Sequence, residues 1–218
     1  MAEFDTYIRL SAAIFVPWLL GAILAALVVG RRRSALTYIS HGYLIGIVAE
    51  ITVLRVFDAL EIPFSFWPML SILLALTIAL TAYAKPLQIA LNIRELRVAE
   101  TLSDAKAWRV ILMSLLLCVV VFQVVLVFSE ATLRPTFPWD AWRGWEPKTL
   151  QFFENRSLTA QIVTIGNYGS ISTQAQLWLM LALDEPRSNL SHLAWVLAYL
   201  AIGMCLYAHT AMHRTCLT

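Results

Sequence analysis

Residues 10–30, LSAAIFVPWLLGAILAALVVG, run for 21 positions without a charged side chain. A helix needs about 20 consecutive apolar residues to cross the ~30 Å of a bilayer's hydrocarbon core. Backbone polar groups in such a segment must be satisfied within the protein, which directs a chain of this kind to an all-α bundle. Composition points the same way: 60% of the 218 residues are apolar and 14% are charged, where a soluble domain carries about 25% charged residues. So few charges cannot cover a water-facing surface. The balance excludes a disordered tail, a collagen-like fibre, a disulfide-rich miniprotein and an ordinary cytosolic enzyme. A net charge of +2 is too small to imply a nucleic-acid partner.

The sequence predicts five spans: 10–30, 36–57, 66–84, 109–129 and 192–212. The first does not read as an obvious cleaved leader, because Glu3 and Asp5 precede it and Arg31, Arg32 and Arg33 follow it. Those arginines, with Lys85, Arg94, Arg97, Lys106 and Arg109 in 85–109, mark the cytoplasmic side. The N-terminus, the 58–65 turn and the 130–191 segment then face outward, into the periplasm of a bacterium, and the C-terminus is cytoplasmic. The organisation is a four-span region over 1–129, an outward or interfacial loop over 130–191, and a last span over 192–218. The 87–107 stretch alternates apolar and charged residues and reads as an amphipathic helix on the cytoplasmic surface. Residues 157–183 are uncharged but polar until Leu177. They read as a loop and a short helix dipping into the outer membrane face, with a sixth span as the rival.

The densest chemistry is EATLRPTFPWDAWRGWEPKTLQFFENR, residues 130–156. Trp139, Trp142 and Trp145 form one stripe at helical spacing, and Phe152 and Phe153 continue its apolar surface. Tryptophan favours the headgroup level, so this is an interfacial helix with its anchor on that stripe. Asp140 stands beside the stripe, with Arg143 and Lys148 following. A carboxylate there could serve as general base toward an acceptor hydroxyl, with the two cations on a lipid phosphate. On the residues alone, a helix cap and an exposed Asp–Arg pair is the preferred reading.

RPTFPWDAWRGWEPKTLQFFE resembles a motif of bacterial polytopic glycosyltransferases of the GT-C superfamily, and QLWLMLALDEPRSNLSHLAWVLAYLAIGMCLYAH is similar to their continuation. The resemblance covers 110–212 well and 1–109 in layout only. It implies sugar transfer from a polyprenyl-phosphate donor at the outer face, with Asp140 as the base. Two departures point to a different use. A Tyr/His-Pro-Pro element is replaced by Asn167-Tyr168-Gly169-Ser170, and the further spans that enclose the donor lipid in that family do not follow. Without enclosure the positioning on which catalysis rests is lost. The expectation is therefore a non-catalytic accessory subunit packed among other integral membrane proteins, the alternative being an active module completed by a second polypeptide. Membrane lipids are expected around it, bound lipid or polyprenyl phosphate is allowed, and no cofactor is expected.

Span two carries Glu50 and Arg55. A charge inside a membrane is costly and should face protein or a partner. Five residues place the two about 140° apart around a helix, so Glu50 is expected to meet a polar group on another helix or subunit, with a proton relay as the rival reading. Gly42 and Gly46 make a GxxxG match that permits close helix contact. His41, His192, His209 and His213 do not form a metal-ligand pattern. Cys118, Cys205 and Cys216 lack CxxC spacing and read as buried or lipid-facing thiols.

Overall fold

The computed structural model describes residues 2–29, 35–83, positions within 111–129, and 146–158, 170–186 and 189–215. Every regular element among them is helical: α1 (Ala2–Val29), α2 (Ala35–Ala59), α3 (Phe66–Tyr83), α4 (Glu146–Asn155), α5 (Ser170–Leu183), a short 3-10 turn (Asn189–His192) and α6 (Leu193–Thr215). Among the described residues, three segments are long and apolar enough to cross a membrane: Phe4–Val28, Phe66–Tyr83 and Asn189–His209. α2, with 25 residues, has comparable length, about 37 Å, but carries Glu50, Arg55 and Asp58. Described positions in 111–129 are helical, and their large side chains, among them Ile111, Leu115, Phe122 and Val125, are exposed. The amphipathic helix expected over 87–107 lies outside the described residues.

α1 starts at Ala2, ahead of the apolar run that begins at residue 10. Acidic side chains suit the first turn of a helix, and Glu3 and Asp5 stand there. Arg9, one turn further on, finds partners inside the fold. Its guanidinium donates to the Leu181 carbonyl at 3.2 Å and lies 5.6 Å from the centre of the Phe66 ring. That carbonyl belongs to the last turn of α5, where helical partners run out.

The most extensive interface is α1 on α2. It is built from backbone brought against backbone. A Cβ placed on Gly21 would fall on the Gly42 carbonyl oxygen, and one on Gly46 would come 2.5 Å from the Pro17 carbonyl oxygen. The Gly42–Gly46 pair thus supplies half of the contact, and Gly21 with the Pro17 turn supplies the other half.

α3 buries one stripe, Phe66, Met69, Leu70, Leu73 and Thr77, at the i, i+3, i+4 spacing of a single face. Its other faces expose Trp67, Ile72, Leu74, Leu76 and Ile78.

α5 corrects the expectation for 157–183. It is a helix of 14 residues, about 21 Å, which is too short for a sixth span. Every residue from Thr173 to Leu183 is buried, packed by α1, α2, α3, α4 and α6. Of the polar stretch that read as loop, residues 170–176 are helical and Thr173–Gln176 are core. Gln176 donates from Nε2 to the Ser191 hydroxyl at 3.2 Å, so the return of the chain through the 3-10 turn covers it.

At one end of the bundle the 58–65 turn meets the segment after α4. The Phe64 N–H donates to the Arg156 carbonyl at 2.8 Å, and the Leu158 N–H donates to Asp58 Oδ1 at 2.7 Å. Arg156 and Asp184 each stand one residue beyond a helix, at φ 51° and 53°, the left-handed geometry that ends many helices. They pair at 3.3 Å; both are largely solvated, so the pair is worth under about 1 kcal/mol. Phe152 and Phe153, expected to extend a membrane-facing surface, are instead buried in the bundle core. With Thr149 they form the single buried face of α4, and that face covers α5.

Candidate functional site

Of the outward-loop residues, Trp139, Asp140, Trp142, Arg143 and Trp145 lie outside the described residues. Lys148 is half-buried on α4, its ammonium 5.8 Å from the centre of the Phe152 ring, one helical turn on. Such a contact leaves the head of the lysine available while its stem packs.

The site that the fold does build lies inside the bundle, at Glu50. Its origin is Pro17. Proline has no N–H, so the carbonyl four residues earlier loses its helical partner. That carbonyl is Ala13, and the buried Trp178 indole of α5 donates to it at 2.9 Å. One residue on, Trp18 reaches across to α2 and donates to the Ile39 carbonyl at 2.8 Å. On α2, Tyr43 donates its hydroxyl proton to the Ala194 carbonyl at 3.1 Å, at the start of α6. Three amphipathic aromatics therefore pin α5, α2 and α6 together through main-chain carbonyls.

Between these pins is a cavity of about 10 Å³ lined by Pro17, Trp18, Tyr43, Glu50 and Trp178, with aliphatic side chains completing the wall. Glu50 is 5% exposed. Among the described residues its carboxyl has no hydrogen-bond partner. It is enclosed by its own chain, and the polar group expected on a facing helix is not at the cavity wall: both indole N–H groups are already engaged. Arg55 is exposed on the same helix, so Glu50 and Arg55 do not meet.

A second cavity, about 360 Å³, lies between α1, α2 and α3 and is lined by Leu20, Leu24, Val48, Thr52, Leu73 and neighbouring aliphatics. The Thr52 hydroxyl there donates to the Val48 carbonyl at 2.7 Å, and the rest of the wall is aliphatic.

His41 Nδ1 lies 2.8 Å from the Thr37 carbonyl oxygen and 3.6 Å from Cys205 Sγ. His192 is buried and His209 is exposed. Among the described residues no three His, Cys, Asp or Glu side chains converge as metal ligands would.

Sequence reasoning singled out Glu50 but not Trp18, Tyr43 or Trp178. Pro17 held the available signal: a proline inside an apolar helix frees a carbonyl that needs a donor from elsewhere. Compared with family models, curated proteins and solved structures, the chain matches none.

Proposed function

We propose that the chain is a five-span subunit of a bacterial inner-membrane assembly, laid out like the front of a GT-C glycosyltransferase and packed, without catalysing transfer itself, against other integral membrane proteins. Its spans are α1, α2, α3, the 109–129 segment and α6, with the N-terminus periplasmic and the C-terminus cytoplasmic. Membrane lipids cover the remaining apolar surface.

The observation that carries this reading is how the interior is filled. The polar cavity at Glu50 has about 10 Å³, room for about one water and none for a sugar phosphate. The larger cavity between α1, α2 and α3 is aliphatic except for the Thr52 hydroxyl, too few polar groups to orient a sugar headgroup. The layout has support from the joined end of the bundle. The 58–65 turn and the 153–158 segment are hydrogen-bonded to each other, as two segments on one side of a membrane would be. The loss of the Pro-Pro element at Asn167–Ser170 supports the non-catalytic role.

PWDAW favours a second reading, a transferase module completed by another polypeptide, with Asp140 as base and Arg143 and Lys148 on the donor phosphate. An assay separates the two. The purified chain, given a polyprenyl-phosphate sugar and an acceptor in detergent, is expected to transfer no sugar above background. Transfer that Asp140→Asn abolishes would establish the second reading.

A further inference from the structure

The Glu50 cavity has a property that a subunit role does not use. A carboxyl enclosed in a bundle normally meets a cation or several donors. Here the wall from α1 offers Ala13, Ile14, Pro17 and Trp18; that from α5 offers Ala175, Trp178 and Leu179; that from α6 offers Ala194. Among the described residues Tyr43 is the only other titratable group on the wall, and no lysine, arginine or histidine lines it. Each indole N–H is committed to a carbonyl. The Tyr43 proton is committed to Ala194, which leaves the phenol oxygen as an acceptor.

A hard metal cation would need about six oxygen ligands. The side chains here supply a carboxyl and one phenol among indole and aliphatic walls. A proton needs only one oxygen and one acceptor, and the space admits a single water to connect them.

We propose that the cavity is a proton-binding site: Glu50 carries a proton inside the bundle and shares it, through one enclosed water, with the Tyr43 hydroxyl oxygen. The Glu50 O–H donates to the water, the water donates to Tyr43, and Tyr43 donates to the Ala194 carbonyl. The ligand is the proton itself, taken up and released without any other co-reactant.

Infrared difference spectroscopy on the full chain in detergent tests this. Wild type minus Glu50→Gln is expected to show the carbonyl stretch of a protonated carboxyl at neutral pH, and the band should move on transfer of the folded protein to D2O. Tyr43→Phe, which keeps Glu50 and removes the acceptor together with its bond to the Ala194 carbonyl, should shift the same band toward that of a carboxyl without a hydrogen bond. A hydrophobic carbodiimide, which reacts with protonated carboxyls, should label Glu50 in wild type. A carboxylate stretch alone at Glu50, or one that responds to sodium, would overturn the proposal. So would a carboxyl band that does not respond to D2O while the protein stays folded, since that marks a sealed group. If Glu50→Gln does not fold, the Tyr43→Phe band and the labelled peptide decide the question unaided.

Discussion

Leucine at Gly21 or at Gly46 is expected to abolish the folded bundle, while leucine at Gly203 leaves it intact. The three glycines share a residue type and a helical setting, and differ in what surrounds them. A Cβ at Gly46 would approach the Pro17 carbonyl oxygen to 2.5 Å, and one at Gly21 would fall on backbone of α2. Overpacking a core costs about 1–3 kcal/mol when side chains can rearrange. Here the obstructing atoms are main chain on a neighbouring helix, so relief requires moving α1 away from α2. That movement would pull Trp18 from the Ile39 carbonyl, and the loss should exceed about 3 kcal/mol. Gly203 has nothing within 4 Å of its added Cβ. Thermal unfolding of the three variants in one detergent, followed by size-exclusion, reads the difference. Equal melting of Gly46→Leu and Gly203→Leu would show that the α1–α2 contact is looser than the structure has it.

Trp178→Phe is expected to be costly in the native chain and much less so beside Pro17→Ala. The indole satisfies a carbonyl that Pro17 alone leaves open. With phenylalanine there, Ala13 keeps a buried acceptor without a donor, a loss of about 1–3 kcal/mol. Pro17→Ala supplies the missing N–H from within α1, one helical turn from that carbonyl. The double variant should therefore recover about 1 kcal/mol or more relative to the sum of the single changes, measured as a coupling energy in a double-mutant cycle. Trp178→Ala is expected to cost more than Trp178→Phe in either background, about 3–5 kcal/mol, because Trp178 is also among the largest fully buried side chains. Additive single variants would mean that Pro17 and Trp178 do not share the carbonyl.

These two predictions also mark where the sequence was readable. The uncharged run over 10–30 announces α1, and the Gly42–Gly46 spacing announces a close contact on α2. Neither says that the facing surface is Gly21 and the Pro17 carbonyl, because a spacing on one helix carries no information about the helix opposite. The same limit governs α4. Phe152 and Phe153 are legible as one apolar face, yet a face on a short helix can cover protein or membrane equally well, and here it covers α5. In α5 the polar residues Thr173, Gln174 and Gln176 disguised a buried helix as a loop. Local composition weighs them as solvent-seeking, whereas the fold buries all three and sets Gln176 against Ser191 of the 3-10 turn at Asn189–His192. Glu50 was legible as buried because a charge in a span must be covered. Its cavity was not, since the enclosing groups come from α1, α5 and α6, up to 144 positions away at Ala194. The Trp139–Trp145 stripe and Asp140 stay at the level of motif and resemblance, their residues lying outside the described part of the chain.

The central claim is that this chain is one subunit of a larger membrane assembly and has no transferase activity by itself. The most direct measurement is the mass of the particle that contains it, taken by native mass spectrometry after extraction in mild detergent from cells expressing it at its own level. The account predicts a particle heavier than the 24.5 kDa chain by the mass of at least one further integral membrane protein, in fixed stoichiometry. A lone chain bearing only lipid, and active in sugar transfer, would contradict it.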